Sequence, residues 1–290
     1  GQVLPMGSAA RIAASTYKIP YSVFTYAMDV ELARQHWRRK NSLSKVFNDA
    51  QHIFTISEDT RARIIKAGGE SSKIVKITPG LDTGEFLAGH DLLATKTEEL
   101  RQRYHLEGKK VIVTVGRAVS RKGQDTVLKA LPKILREIPD AHYVVAGGGA
   151  YLDSLKQIAK SLGIQKQVTF TNRFPEDEKT ALYNLGDVFA MISRVEKSTD
   201  IEGFGIVYLE ANALGKPVVA GRSGGVEDAV IDDKTGLLVN DPTDEGEVAT
   251  TIIKLLKNPA LAKQLGEQGE ARVKQDFNWD ELVAKLKKYL

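Results

Sequence analysis

From about residue 105 onward, short unbroken apolar runs alternate with longer stretches in which apolar residues return every three or four positions. The runs are VIVTVG (111–116), HYVVAG (142–147), VTFT (168–171), DVFAMIS (187–193), PVVAG (217–221) and GLLV (236–239). A run that is apolar at consecutive positions belongs to a strand buried on both faces, as parallel strands under helices are. The stretches between, such as DTVLKALPKILREI and YLDSLKQIAKSLG, carry the amphipathic period of those helices. The pattern predicts a doubly wound α/β domain with a parallel sheet.

The first hundred residues carry fewer signals. IPYSVFTYA, HIFTIS and KIVKIT read as strands, and the helical period appears in MGSAARIAASTYK, over 30–50, over 57–68 and near 91–103. Three strands make a poor free-standing sheet, so residues 1–104 read as the tail of a domain whose earlier strands are absent. TPGLDTGEF (78–86) is a turn-rich connector. Three helical stretches follow residue 240, and the last, NWDELVAKLKKYL, follows a break at FNW and is placed to swing back onto the first domain. The expected division is 1–104, 105–275, and a crossing helix within 276–290.

Composition narrows the function classes only slightly. The 290 residues are 42% hydrophobic and 27% charged, a globular balance, with a net charge of +4. That excess is too mild for nucleic acid but suits an anionic ligand or an acidic membrane surface. There is no cysteine, which excludes disulfides and thiolate metal sites. The longest apolar runs are strand-length rather than membrane-spanning, and the opening residues lack the order of a signal peptide. The expectation is a cytoplasmic protein, peripheral at most to the inner face of a membrane.

Candidate chemistry gathers where strands hand over to helices. In EGFGIVYLE (202–210), Gly203 and Gly205 follow a strand and precede a helix that stops at Gly215. Free backbone N–H groups at such a helix start favour phosphate, and glycines let it approach. Glu210 stands about 7 Å along that helix from its start, at 1.5 Å per residue. Carboxylates do not bind phosphate, so Glu202 and Glu210 suit sugar hydroxyls on either side of it. Equally, Glu210 reads as a helix-surface acid and Glu202 as a complement to the helix dipole. In VGRAVSRKGQD (115–125), Gly116 ends a strand, and Arg117 and Lys122 flank a loop before the next helix, with Arg121 in reserve. An arginine fork and a mobile lysine charge suit a diphosphate; solvated surface cations are the alternative.

Two further glycine turns are less specific. AGGGA (146–150) does not match the dinucleotide pattern G-x-G-x-x-G, and no acid stands where a ribose ligand would be expected; the glycines give a nucleotide room or make a tight turn. SGGVED (223–228) is a ligand turn or a plain one. In ELARQHWRRKNSLSK (31–45), Arg34, Arg38, Arg39, Lys40 and Lys45 surround Trp37. That cluster suits anionic lipid headgroups, although a solvated helix face with Trp37 turned into the core is the favoured reading. The five histidines show no metal-ligand spacing, and no Ser-His-Asp order, G-x-S-x-G or D-x-D pair is present, so no metal or cofactor is expected.

Taken in order, these segments resemble the retaining glycosyltransferases of family 4 (glycosyl transferases group 1), which have the GT-B fold. The resemblance runs from IPYSVFTYAMD to the final helix. ITPGLDTGEF is similar to the family's linker-proximal segment, VGRAVSRKG to its Arg-plus-Lys loop, and EGFGIVYLE to its E-x7-E signature, followed by ANALGKPVVA and GG. It implies two Rossmann-like domains across a cleft, the N-terminal one incomplete in this sequence, with a nucleotide-sugar on the C-terminal domain and an acceptor on the N-terminal one. It implies that Arg117 and Lys122 bind the donor diphosphate and that Glu202 contacts the transferred sugar. Glu210 would hold the ribose, and Gly205 and Ile206 would offer amides to the phosphates, with Gly116, Gly203, Phe204 and Arg173 completing the donor site.

The implied activity moves a sugar from a nucleotide-diphosphate sugar to a saccharide or lipid-linked acceptor, for surface polysaccharide, without metal. Where the family has T-x-H-G-x-D, this chain reads FTYAMD, so Tyr26 stands in the histidine's place, able to hydrogen-bond a sugar but not to carry imidazole's charge. The family's N-terminal glycine-rich loop is not in the sequence. A non-catalytic nucleotide-sugar-binding module, and less so an epimerase, are the competing expectations.

Overall fold

The computed structural model describes residues 3–289, apart from 83, 85, 87–89 and 198. The connector read over 78–86 falls partly outside the described residues, at Thr83 and Glu85. Among those described, the strands form two parallel sheets. Strands β1 (Ser22–Thr25), β2 (His52–Thr55) and β3 (Ile74–Lys76) lie side by side in that order. Around them pack helices α1 (Val3–Tyr17), α2 (Met28–Arg34), α3 (Trp37–Asp49) and α4 (Glu58–Lys66). Helix α5 (His90–Arg103) leads into the second sheet.

That sheet holds β4 (Lys110–Val115), β5 (Ala141–Ala146), β6 (Val168–Asn172), β7 (Val188–Met191), β8 (Val218–Gly221) and β9 (Leu237–Val239), in the order β6-β5-β4-β7-β8-β9. Its helices are α6 (Gln124–Glu137), α7 (Leu152–Ser161), α8 (Lys179–Leu185), α9 (Ile206–Ala213), α10 (Val226–Ala229), α11 (Glu245–Lys257), α12 (Pro259–Asp276) and α13 (Trp279–Lys287).

Apart from the edge strand β6, which is only partly buried, the apolar runs are buried on both faces for the reason the pattern gives. Val111, Val113 and Val115 face one core layer with Phe189 and Met191, while Ile112 faces the other with Tyr143, Val145 and Val188. The strand order reverses between β4 and β7, which pair through Ile112–Val188 and Val113–Phe189. In open parallel sheets the crevice beyond the carboxyl ends at such a reversal is where ligands bind. The loops that meet there are 116–123, after β4, and 192–205, after β7.

Helix α13 reaches the smaller sheet. Leu81 N–H donates to the Phe277 carbonyl at 2.9 Å, Leu81 bridges to Asn278, and the Tyr289 ring lies 5.2 Å from His52 and 6.2 Å from Phe54. Two readings need correction. The helical period over 30–50 is two helices, because His36 is extended (φ −123°, ψ 128°) and breaks them. Trp37 does not turn into the core: it is 70% exposed and carries the Arg38 guanidinium 5.2 Å from its ring, so its π-face is used by a cation rather than by packing.

Candidate active site

The site is built from the two loops at the reversal. After β4 the chain turns through a short 3-10 segment, Ser120–Lys122, which points Arg121 and Lys122 inward, where both are buried. Glu202, also buried, comes from the loop after β7. Its Oε2 accepts from Lys122 Nζ and from Arg121 Nη1, each at 2.6 Å, and Ser193 Oγ stands 3.5 Å away. Arg121 Nε reaches Asp200 at 2.9 Å.

Burial would raise the Glu202 carboxyl, but the charges of Lys122 and Arg121 outweigh it and hold it below the usual carboxylate range. Burial pulls the Lys122 ammonium below the ordinary lysine value, and Glu202 opposes that pull. Glu202 is therefore anionic across the neutral range, and its two partners are the nearest cations to it.

Gly205 starts α9 in the left-handed region (φ 92°, ψ 62°). A Cβ there would stand 2.4 Å from the Tyr208 ring, and Tyr208 is itself fixed by its hydroxyl on the Met191 carbonyl at 2.8 Å. One turn along α9, Glu210 receives the Tyr183 hydroxyl and lies 3.9 Å from Lys179 Nζ. Both partners belong to α8, so Glu210 is not a free surface acid. Ile206 is partly exposed at the helix start, whereas the Phe204 side chain is buried against Phe277, rings 5.8 Å apart, leaving only its backbone for a ligand.

The remaining predicted residues divide. Arg117 is exposed, and its carbonyl accepts from Gln124 Nε2 at 3.1 Å. Nothing lies within 4 Å of a Cβ built on Gly116, so that glycine borders open space. The AGGGA glycines have a packing explanation: Cβ atoms at Gly147 and Gly149 would stand 2.1 Å from the Gly116 carbonyl oxygen and 2.2 Å from that of Ala118. They let the loop after β5 lie against the Arg117 loop. Arg173, exposed after β6, passes over Gly148.

From the smaller sheet, the backbone of Tyr26 meets the same loop, while its side chain borders an apolar pocket with Phe24, Ile56 and Trp279. A Cβ on Gly203 would be 3.6 Å from the Tyr26 carbonyl oxygen and 3.2 Å from Ile56. Tyr26 sits before a tight turn in which Met28 N–H donates to its carbonyl at 2.6 Å and Ala27 takes φ 58°, ψ −64°. This is the rare, strained form of the γ-turn. Buried Asp29 holds it by accepting from Tyr26 N–H and Val30 N–H, each at 2.9 Å.

Sequence reasoning misses Arg194 and gives Arg121 only second rank. Arg194 donates to Asp125 at 2.8 Å and to Thr126 at 3.1 Å, pinning the loop after β7 onto the start of α6. Arg121 was held in reserve and is in fact as close to Glu202 as Lys122 is. The one advance signal was Asp125 in the first turn of a helix beside a basic loop. Among the described residues no group of three or more His, Asp or Glu could hold a metal.

Residues 96–272 match the family Glycosyl transferases group 1. The whole chain aligns, at 37% identity over 293 positions, with 72% of a GDP-mannose-dependent alpha-(1-6)-phosphatidylinositol monomannoside mannosyltransferase of Mycolicibacterium smegmatis. A Mycobacterium tuberculosis protein of the same description is 36% identical over 98% of this chain and 70% of its own length. Among solved structures, HepE of Anabaena in complex with UDP superposes with a TM-score of 0.84 at 23% identity, covering 98% of this chain and 76% of that one. A sucrose-phosphate synthase of Thermosynechococcus elongatus gives 0.79 at 22%, covering 97% and 70%. The fold is GT-B, and the chain belongs to the glycosyl transferases group 1 family. It is a glycosyltransferase, and the relatives support that over the binding-module and epimerase readings.

Proposed function

We propose that the chain transfers a sugar, with retention, from a nucleotide-diphosphate donor to a lipid-linked acceptor, and that the donor is GDP-mannose. The donor and acceptor classes are those in the names of the relatives at 36–37% identity. The observation that carries the site assignment is the buried Lys122–Glu202–Arg121 cluster at the strand-order reversal, next to Gly203, which backs onto the Tyr26 carbonyl. Lys122, with exposed Arg117 reaching in, takes the diphosphate; Glu202 takes hydroxyls of the transferred sugar; Glu210 takes the ribose; and the Gly205 and Ile206 amides meet the phosphates, beside Gly116, Gly203 and Arg173.

As the glycosidic C–O bond breaks, its electron pair stays on the leaving phosphate. Cations and a helix start aimed at that oxygen stabilise the developing charge. The acceptor hydroxyl attacks from the same face and gives its proton to the departing phosphate, so no enzyme nucleophile is needed. Residues 1–104 take the acceptor, residues 105–275 the donor, and the helix within 276–290 ties the two. Work is cytoplasmic, at a membrane surface reached through Arg38, Arg39 and Lys40 beside exposed Trp37; Arg34 contributes less, being paired to Glu31 at 2.8 Å. Among the described residues no helix is long and apolar enough to cross a membrane.

The test is transfer from GDP-mannose to a phosphatidylinositol mannoside, with UDP-glucose as the competing donor. Lys122→Ala and Glu202→Gln are each expected to lower kcat/KM about 100- to 1000-fold, the usual loss of one preorganised charge partner. Melting curves establish that the variants are folded, since an unpaired buried charge costs about 3–5 kcal/mol. Turnover unchanged in both variants would sink the assignment.

A further inference from the structure

Asp228, in α10, belongs to the larger half of the molecule but spends its carboxylate on the smaller one. Its Oδ1 lies 2.8 Å from Lys76 Nζ, at the end of β3, and its Oδ2 accepts from the Glu58 backbone N–H, the first residue of α4, at 2.7 Å. Lys76 is also paired with Glu58 at 2.8 Å. The Asp228 backbone is braced from behind: Arg272 donates to the Asp228 and Ala229 carbonyls, each at 2.7 Å. The Asp228 side chain is 11% exposed and that of Lys76 32%, so this partly buried pair is screened less by salt than one on the open surface.

The same short helix grips the site loop. Gly225 N–H donates to the Glu202 carbonyl at 2.9 Å. The approach is so close that a Cβ on Gly224 would stand 2.3 Å from the Glu202 carbonyl oxygen, and one on Gly225 2.0 Å from that of Gly203. Thus a single turn of chain, 224–229, holds the backbone of Glu202 at one end and the edge of the smaller half at the other. SGGVED, which the sequence left as a ligand turn or a plain one, is a connector between them.

We propose that Asp228 is a positioning residue: its contact with Lys76 and α4 transmits the relative placement of the two halves to Glu202. Drawing the halves together seats Glu202, and parting them releases it. The functional side of this inference rests on the reading of Glu202 as the donor-sugar residue. The mechanical side does not, and the two are separable by experiment.

The test uses Lys76→Met, on the far half and without contact to the 200–206 loop, with Asp228→Asn as the second variant and Lys76→Arg as the conservative control. Two readouts are taken well below the melting temperature. The first is the distance between spin labels on introduced cysteines, one on each half, in a chain that has no cysteine of its own. The second is amide hydrogen exchange across 200–206. In Lys76→Met and Asp228→Asn the distance distribution is expected to broaden to longer values, and exchange at 200–206 to quicken about tenfold, within the range that coupling between sites usually spans. Lys76→Arg should restore both.

Unchanged distances, or widened distances with unchanged exchange at 200–206, would overturn the proposal. GDP-mannose binding is measured on the same variants. If the wild type fails to bind it while exchange still responds, the donor reading falls and the mechanical coupling stands.

Discussion

Ala27 shows how much can hang on a single residue. A buried alanine with φ 58° holds Tyr26 at the boundary between the halves, in the position where the resembling family carries a glycine. A methyl tolerates that conformation at some cost; a β-branched side chain does not. Ala27→Val is expected to lose more than about 2 kcal/mol in urea denaturation. Ala27→Gly should stay within about 1 kcal/mol, because relief of strain is offset by greater backbone freedom and a lost methyl. Equal losses in the two variants would show that packing, not backbone conformation, governs this position. The sequence offered Tyr26 but not the reason it is held: a turn of this kind follows from Asp29 accepting backbone N–H groups, which no spacing rule announces. The same applies to Arg121, whose inward direction is decided by the three-residue turn Ser120–Lys122 rather than by its neighbours in sequence.

Elements were far more legible than residues. Five of the six strands of the larger sheet announce themselves because burial on both faces leaves few polar positions to blur the run, whereas the edge strand β6 is only partly buried and interleaves threonines. Strand β4 (Lys110–Val115) lies within one residue of the run read at 111–116. The break between α2 and α3 was invisible because Gln35 and His36 are neither glycine nor proline, so local chemistry gave no stop signal. Contacts between helices were equally hidden. Helix α12 meets the end of α9 through Gly266, where a Cβ would lie 2.0 Å from the Gly215 carbonyl oxygen. Gly266→Ala is expected to push α12 off α9 and cost about 1–3 kcal/mol, the usual penalty of overpacking, despite alanine's better helix propensity. A stabilised variant in denaturant titration would contradict the close approach.

At the scale of the whole molecule, stability should carry an imprint of His142 in the interior of the larger half. Burial, with Lys109 adding to it, lowers its pKa from 6.5 to about 4, while its Nε2 meets Thr169 Oγ1 at 2.9 Å. The unfolded chain takes up a proton that the folded one refuses, so this residue is neutral in its effect above about pH 6.5 and lowers stability as pH falls from there toward about 4. Melting temperature followed over that window should fall less steeply in His142→Gln than in the wild type; parallel curves would remove His142 as the cause.

The charge cluster has a consequence on this scale too. Arg121, Lys122, Asp200 and Glu202 together sum to zero, and the joining distances are 2.6 to 2.9 Å. A site that supplies its own counterions offers little to a chloride or a free phosphate drifting past, since each would have to displace a carboxylate already in contact. A ligand that brings hydroxyls for the carboxylate together with an anion for the lysine exchanges one complete set of partners for another. Selectivity against simple salts would then arise from a balance of charge struck before any ligand arrives.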